Sequence, residues 1–215
     1  QHTNFLKLVE ALIDSDELNE LDLFTEASKR RMNDRAFVEE FVSGVIYGLY
    51  DKRKAVSAAF ENDISEEEVE SLYNETIAVL KKILELNKFA PINSTRYKQR
   101  NDFLTLMQFV HENINEPLDI LIYQYQLLLL FAPFIRPSQE ECLPLKEYAL
   151  NCVSQSNSKK ARESRLYFFN KTLKNTDEDD DFNAEILEFL ESEFGIDEPT
   201  NLIQLGEYKL IDIKK

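Results

Sequence analysis

Apolar residues that repeat at three- and four-residue spacing restrict the fold of this 215-residue chain more than any other feature. After Asp34 the spacing predicts a helix with a wide, mostly buried face. The residues of that face are Phe37, Val38, Phe41, Val42, Val45, Ile46 and Leu49. A second stripe follows Ser65 and Glu68, which have the spacing of a capping box. With only 4 glycines and 6 prolines, the chain has few of the residues that tight β-turns need. We therefore expect an all-α fold, a multi-helix orthogonal bundle.

The remaining elements are predicted from the same periodicity and from breakers. Asn4 is expected to cap the first helix, and the apolar run after Pro117 predicts a helix buried on all sides. Further helical segments are predicted at 16–24, 103–114, 140–154, 158–173 and 182–194. Near the C-terminus, Gly206-Glu207 lies between two short apolar runs, a pattern that indicates a β-hairpin over 202–211.

Prolines and charge runs predict two regions. Pro133, Pro137 and Pro144 interrupt the helical pattern. We expect a helical core domain over 1–136 and a helical extension over 137–215, with an acidic linker at 177–181. The predicted core includes Phe37, Phe41, Val45, Leu80, Ile83, Met107 and Leu128.

Charge and cysteine content limit the compartment and the partners. A formal net charge of −15 opposes indiscriminate binding to phosphates. Cys142 and Cys152 lack C-x-x-C spacing and histidine companions, so we expect reduced thiols in a cytoplasmic protein. The apolar run over 118–135 contains Asp119 and Pro133 and barely reaches the length of a membrane span, so no membrane association is expected.

No complete catalytic, cofactor or metal motif occurs, and we expect no residues in those roles. The histidines are His2 and His111, and His111 is interpreted as a half-exposed structural residue. Asp177, Asp179, Asp181 and Glu188 have the spacing of a calcium loop, but the position that requires glycine is Phe182. The G-x-S-x-G nucleophile motif is also missing. Residue chemistry alone therefore does not identify a function.

A basic segment over 159–174 stands against the acidic background. Three consecutive aromatic residues, 167–169, lie between cations of this segment, a composition that could bind nucleic acid; the cations are Lys159, Lys160, Arg162, Arg165, Lys171 and Lys174. The same spacing lets Leu166, Phe169 and Leu173 pack inward on an ordinary amphipathic helix. Both interpretations stay open.

Several segments, in order, carry a family resemblance. Phe5-Leu6-Lys7-Leu8-Val9 is followed by Arg31-Met32-Asn33-Asp34-Arg35 before Phe37-Val38, and then by Glu39-Glu40-Phe41-Val42. A long amphipathic helix runs through Ile83, Arg96-Tyr97-Lys98 precedes Phe103-Leu104-Thr105, and a polar, arginine-containing segment lies at 158–166. This order resembles the helical latter half of the GmrSD-type restriction family, whose first half is a ParB/sulfiredoxin-like domain. The family-like motif residues are Arg31, Met32, Asp34 and Arg35.

The resemblance implies a role without implying catalysis. Members of this family are associated with defence against foreign DNA, and an Asp-Gly-Gln-Gln-Arg motif in their first half is tied to nucleotide use. This chain has no such motif, and Tyr97-Lys98-Gln99-Arg100 echoes only its end. The resemblance thus implies a non-catalytic scaffold that positions a ParB-like half, on a longer polypeptide or on a partner subunit. The alternative is a nucleic-acid-binding accessory domain that uses the basic segment.

Overall fold

Helices dominate the computed structural model, which describes residues 3–48, 51–174, 181–196 and 202–214. This part of the chain contains eleven α-helices, three short 3-10 helices and one two-stranded antiparallel sheet. The predicted all-α class with a short C-terminal hairpin is confirmed.

The described residues form two compact units. Unit 1 holds the residues up to Ile114 together with Asn157–Glu163, and unit 2 holds Asn115–Ser156 together with the residues from Ser164 onward. The chain therefore divides after Ile114, whereas the sequence suggested a boundary after residue 136. The difference arises because the helix that follows Pro117 packs on the C-terminal hairpin of unit 2.

Four helices open unit 1, namely α1 (Asn4–Ile13), α2 (Asp16–Glu20), α3 (Glu26–Arg30) and α4 (Asn33–Tyr47). Hydroxyl groups cap the first three, because Thr3, Ser15 and Thr25 each accept a hydrogen bond from a backbone N–H three residues later. The prediction that Asn4 caps α1 is wrong. Thr3 is the cap, and Asn4 is the first helical residue.

The rest of the contiguous part of unit 1 comprises α5 (Lys52–Glu61), α6 (Glu66–Phe89), α7 (Arg100–Glu112) and 3-10 helices at Ile92–Ser94 and Arg96–Lys98. The predicted capping box at the start of α6 is confirmed. Ser65 Oγ accepts from the Glu68 N–H at 3.2 Å, and the Glu68 carboxylate accepts from the Ser65 N–H at 2.8 Å. Helix α4 packs against α1, α5 and α7, so it lies centrally in unit 1.

Most of the predicted core of unit 1 is buried. Five of its members are at most 2% exposed, and these are Phe37, Phe41, Leu80, Ile83 and Met107. Val45, in the last turn of α4, is only half-buried. Leu128 is 1% exposed but belongs to the core of unit 2.

Unit 2 contains α8 (Leu118–Phe131), a 3-10 helix at Ala132–Phe134, α9 (Leu143–Val153), most of α10 (Lys159–Lys174), and α11 (Asp181–Phe194). Aromatic rings fill its interior, and the Tyr148 and Phe169 rings stack with centroids 5.6 Å apart. The expected burial of α8 on all sides is wrong for most of its length. Continuous burial extends only over 124–128, and Asp119 and Ile120 are exposed. Residues 177–180 of the predicted acidic linker lie outside the described residues.

The C-terminal hairpin pairs β1 (Leu202–Leu205) with β2 (Tyr208–Ile211). Gly206 has a φ of 58°, a left-handed conformation that glycine adopts without steric cost. The neutral amide of Gln126 on α8 anchors the hairpin, since its Nε2 donates to the Lys209 carbonyl at 2.7 Å and its Oε1 accepts from the Ile211 N–H at 2.9 Å. Among the described helices, none combines the length and apolar character that crossing a bilayer requires.

Candidate functional site

A buried carboxylate with three cationic partners is the most unusual feature of unit 1. The Glu40 side chain is 1% exposed, and the Arg162 side chain is 0% exposed. Arg100 donates to Glu40 Oε2 from Nη2 at 2.5 Å and from Nε at 3.1 Å, and Lys52 Nζ lies 3.2 Å from the same oxygen. Arg162 Nη2 donates to Glu40 Oε1. We call these four residues the Glu40 cluster.

Each member of the Glu40 cluster lies either in the first turn of a helix or on its buried face. Glu40 follows Phe37 by three residues on α4, and so it shares the buried face of that helix. Lys52 and Arg100 are the first residues of α5 and α7. Arg162 lies in the first turn of α10, where its N–H donates to the Ser158 carbonyl at 3.2 Å. One carboxylate therefore joins segments that are up to 122 residues apart in sequence.

The charges of the cluster keep Glu40 ionised. Burial by itself would raise the pKa of Glu40, but the positive charges of Arg162, Arg100 and Lys52 outweigh it and hold the pKa below its ordinary value of 4.5. The four residues of the cluster thus carry three positive charges and one negative charge, in a chain whose formal net charge is −15.

A cavity of about 280 Å³ adjoins the cluster, and Arg100 belongs to both. Its apolar wall is formed by Leu23, Phe24, Phe37 and Phe103. The Phe37 ring stacks on Phe103 with centroids 5.3 Å apart and lies 5.8 Å from Phe24. Its polar wall is formed by Ser28, Asn33, Lys98 and Arg100. We call this space the phenylalanine cavity.

The family-like motif residues lie beside that cavity, Arg31 and Met32 in an exposed turn and Asp34 and Arg35 in the first turn of α4. Met32 precedes α4 with a φ of 56°, a conformation that is uncommon for a residue other than glycine, and it is 62% exposed. Arg31 is exposed as well. Asp34 is 9% exposed and accepts from the Arg35 N–H at 2.8 Å, and Arg35 Nε lies 2.9 Å from Glu39. Asp34 and Arg35 thus make these contacts within α4, whereas Arg31 and Met32 are exposed.

The basic segment is divided by the structure. Lys159 and Lys160 are exposed, whereas Arg162 and Arg165 are both 0% exposed. Arg165 Nη1 donates to the Asn151 and Ser156 carbonyls at 2.6 and 3.0 Å. In this placement both guanidinium groups are shielded from solvent and engaged with the protein, so they are not exposed as the nucleic-acid interpretation of the segment requires. Of these four side chains, Lys159 and Lys160 are the exposed ones.

Sequence reasoning did not identify Glu40, Lys52 or Arg100 as site residues. A signal was present at Arg162 and Arg165, which precede Phe169 by seven and four residues and so share its buried face. Glu40 was not among the residues of the predicted buried face of α4, since a charged residue is ordinarily assigned to the surface. No local pattern links Glu40 to Arg162, because their contact depends on the tertiary fold.

The other chemical candidates have ordinary settings. His111 Nε2 lies 2.5 Å from Glu75, and its side chain is 25% exposed, as expected for a half-buried histidine. Cys142 and Cys152 are free, and burial raises the pKa of the Cys142 thiol to about 11. Within the described ranges, no group of three or more His, Cys, Asp or Glu side chains could hold a metal ion. Asp177 and Asp179 of the calcium-like spacing fall outside those ranges.

The chain was also compared with known proteins. No family model matches it, and neither curated proteins nor solved structures match it. The resemblance of the segments around Arg31, Arg96 and Arg162 to the GmrSD-type family stays a prediction.

Proposed function

We propose that this chain is a non-catalytic helical interaction module of a GmrSD/ParB-like DNA-defence protein, and that it positions a catalytic ParB-like half outside these 215 residues. The observation that carries the proposal is the convergence at Glu40. The resemblance rests on segments around residues 31–42, 96–105 and 158–166, and Glu40, Arg100 and Arg162 from these segments meet at one carboxylate.

The Glu40 cluster suits a scaffold better than a reaction centre. Glu40 and Arg162 are shielded from solvent, so a substrate would have to displace protein from them. A buried ion pair constrains the relative positions of the elements that carry it, because each charge is stabilised only where its partner is correctly placed. The cluster therefore fixes the relative positions of α4, α5, α7 and the first turn of α10 within unit 1.

The outward part of the motif supplies the contact surface in this proposal. Arg31 and Met32 are exposed in the turn that precedes α4, and Asp34 and Arg35 follow them in the first turn of that helix. Methionine is common at protein-binding surfaces because its thioether side chain adapts to the opposing shape. The two free cysteines support a reducing compartment, and we place the protein in the cytoplasm.

The test is a binding measurement with a ParB/sulfiredoxin-like domain of the same organism that carries the Asp-Gly-Gln-Gln-Arg motif. We expect a one-to-one complex by calorimetry, weakened at least tenfold by Met32→Asp. Val153→Asp is the matched control, because Val153 is also exposed, at 70%, but lies on α9 of unit 2. Absence of a complex, or equal weakening by both variants, would contradict the proposal. Nuclease turnover by the purified chain alone would contradict its non-catalytic part.

A further inference from the structure

The phenylalanine cavity combines aromatic rings with cationic side chains, and packing of a protein interior does not require that combination. Three phenylalanine rings form one wall, and two cationic side chains lie on the other. None of the residues that line it is acidic, although the chain has a formal net charge of −15. The residues that line the cavity therefore carry a net positive charge, whereas the chain as a whole is net negative.

Arg100 and Lys98 at the cavity have N–H groups that could donate hydrogen bonds to a ligand. Arg100 is held by Glu40 and by the Ala36 carbonyl through Nε and Nη2. Its Nη1 has no hydrogen-bond partner in the part of the chain that the structure describes, and its side chain is 34% exposed. Lys98 is exposed and forms no ion pair with any described residue. A guanidinium fixed from one side can meet a carboxylate or phosphate with little loss of side-chain freedom.

We propose that the phenylalanine cavity binds a small organic anion, with its carboxylate or phosphate at Lys98 and Arg100 and its planar apolar body among Phe24, Phe37 and Phe103. The volume of about 280 Å³ limits the size of the ligand. Sites for small molecules range from about 300 to 1,000 Å³, so this cavity suits one or two rings and is too small for a dinucleotide. Ser28 and Asn33 supply further polar contacts at the rim.

The binding site is independent of the proposed interaction with a catalytic half. Calorimetry or protein-observed NMR with 2-naphthoate and with 2-naphthyl phosphate tests it directly, and the tighter of the two identifies the anionic group. The neutral 2-naphthamide has the same ring system without the charge, and we expect it to bind at least tenfold more weakly. Equal binding of the charged and neutral probes, or no binding of either anion, would overturn the proposal.

Two variants test separately the positive charge at the cavity and its free volume. Lys98→Gln should weaken binding of the anion about threefold to tenfold, whereas Lys54→Gln, an exposed lysine of α5 that does not line the cavity, should leave it unchanged. Ser28→Phe should abolish binding, because a ring at this half-buried position fills the cavity. An unchanged Kd in Lys98→Gln, measured on a protein with an unaltered circular dichroism spectrum, would contradict the assignment even if Ser28→Phe does not fold.

Discussion

A buried carboxylate in unit 1 and a buried amide in unit 2 are held by different means. In unit 1 the Glu40 carboxylate is 1% exposed and is surrounded by three cations. In unit 2 the neutral amide of Gln126 holds the hairpin through the Lys209 carbonyl and the Ile211 N–H. A charged cluster fails severely when one partner is lost, because a buried charge remains without compensation, whereas a neutral amide loses only its hydrogen bonds. The comparison predicts that acid and charge substitutions act on unit 1 far more than on the hairpin anchor.

The largest effect is expected from Glu40→Gln. The variant removes the negative charge that buried Arg162 contacts, so the free energy of unfolding should fall by about 3 to 5 kcal/mol. Glu39→Gln is the matched control, since Glu39 precedes Glu40 and pairs with the part-exposed Arg35; it should cost about 1 kcal/mol or less. Urea denaturation measures both. Equal costs would remove the distinction between the buried cluster and a surface pair.

Acid should weaken unit 1 by the same mechanism. The pKa of Glu40 is below 4.5 in the folded protein, so the folded state binds its proton less readily than the unfolded state does. The resulting stabilisation is fully present above pH 4.5 and is lost as the pH falls through the folded-state pKa. Carbon-detected NMR of the Glu40 carboxyl group should show a titration midpoint below 4.5. A midpoint at or above that value would mean that the cations do not offset the burial.

A smaller effect is expected at the hairpin. Gln126→Met keeps the volume of the side chain but removes both hydrogen bonds to β2, which should cost about 1 to 3 kcal/mol. Hydrogen exchange of the Ile211 amide should quicken, because its acceptor is Gln126 Oε1. Since methionine and glutamine are both uncharged, this loss should be the same at pH 7 and at pH 4. A strongly pH-dependent loss would show that the hairpin anchor is not purely neutral.

The smallest effect is expected from the exposed end of the basic segment. Lys160→Glu should change the free energy of unfolding by no more than about 0.5 kcal/mol, because its side chain lies on the surface. Arg162→Glu, two residues later, should prevent folding of unit 1, since it places a second carboxylate beside Glu40. Comparable circular dichroism melts for the two variants would contradict the burial of Arg162.

Local patterns predicted much of the fold. The capping box at Ser65 and the hairpin turn at Gly206 are confirmed, because each is determined by residues within a few positions of one another. Helices α3 and α5 were missed, since α3 has no buried residue and α5 buries only Ala55 and Ala59. Short or small apolar stripes of this kind give little periodic signal.

The candidate site was harder to predict than the helices. The approach of Arg162 to Glu40 spans 122 residues, and no spacing rule connects them. Charge composition did not decide the position of these arginines, because a nucleic-acid contact and an ordinary amphipathic helix were both compatible with the basic segment. The inward spacing of Arg162 and Arg165 relative to Phe169 was the one usable signal.

A double-mutant cycle between Glu40 and Arg162 tests most directly the claim that their buried contact holds unit 1 together. Glu40→Gln, Arg162→Met and the double variant would be compared with the unaltered chain by urea denaturation at pH 7. We expect the double variant to lose at least about 1.5 kcal/mol less than the two single losses together, as for groups in direct contact. Losses that add to within about 0.5 kcal/mol would show that the two residues act independently, and would contradict the account.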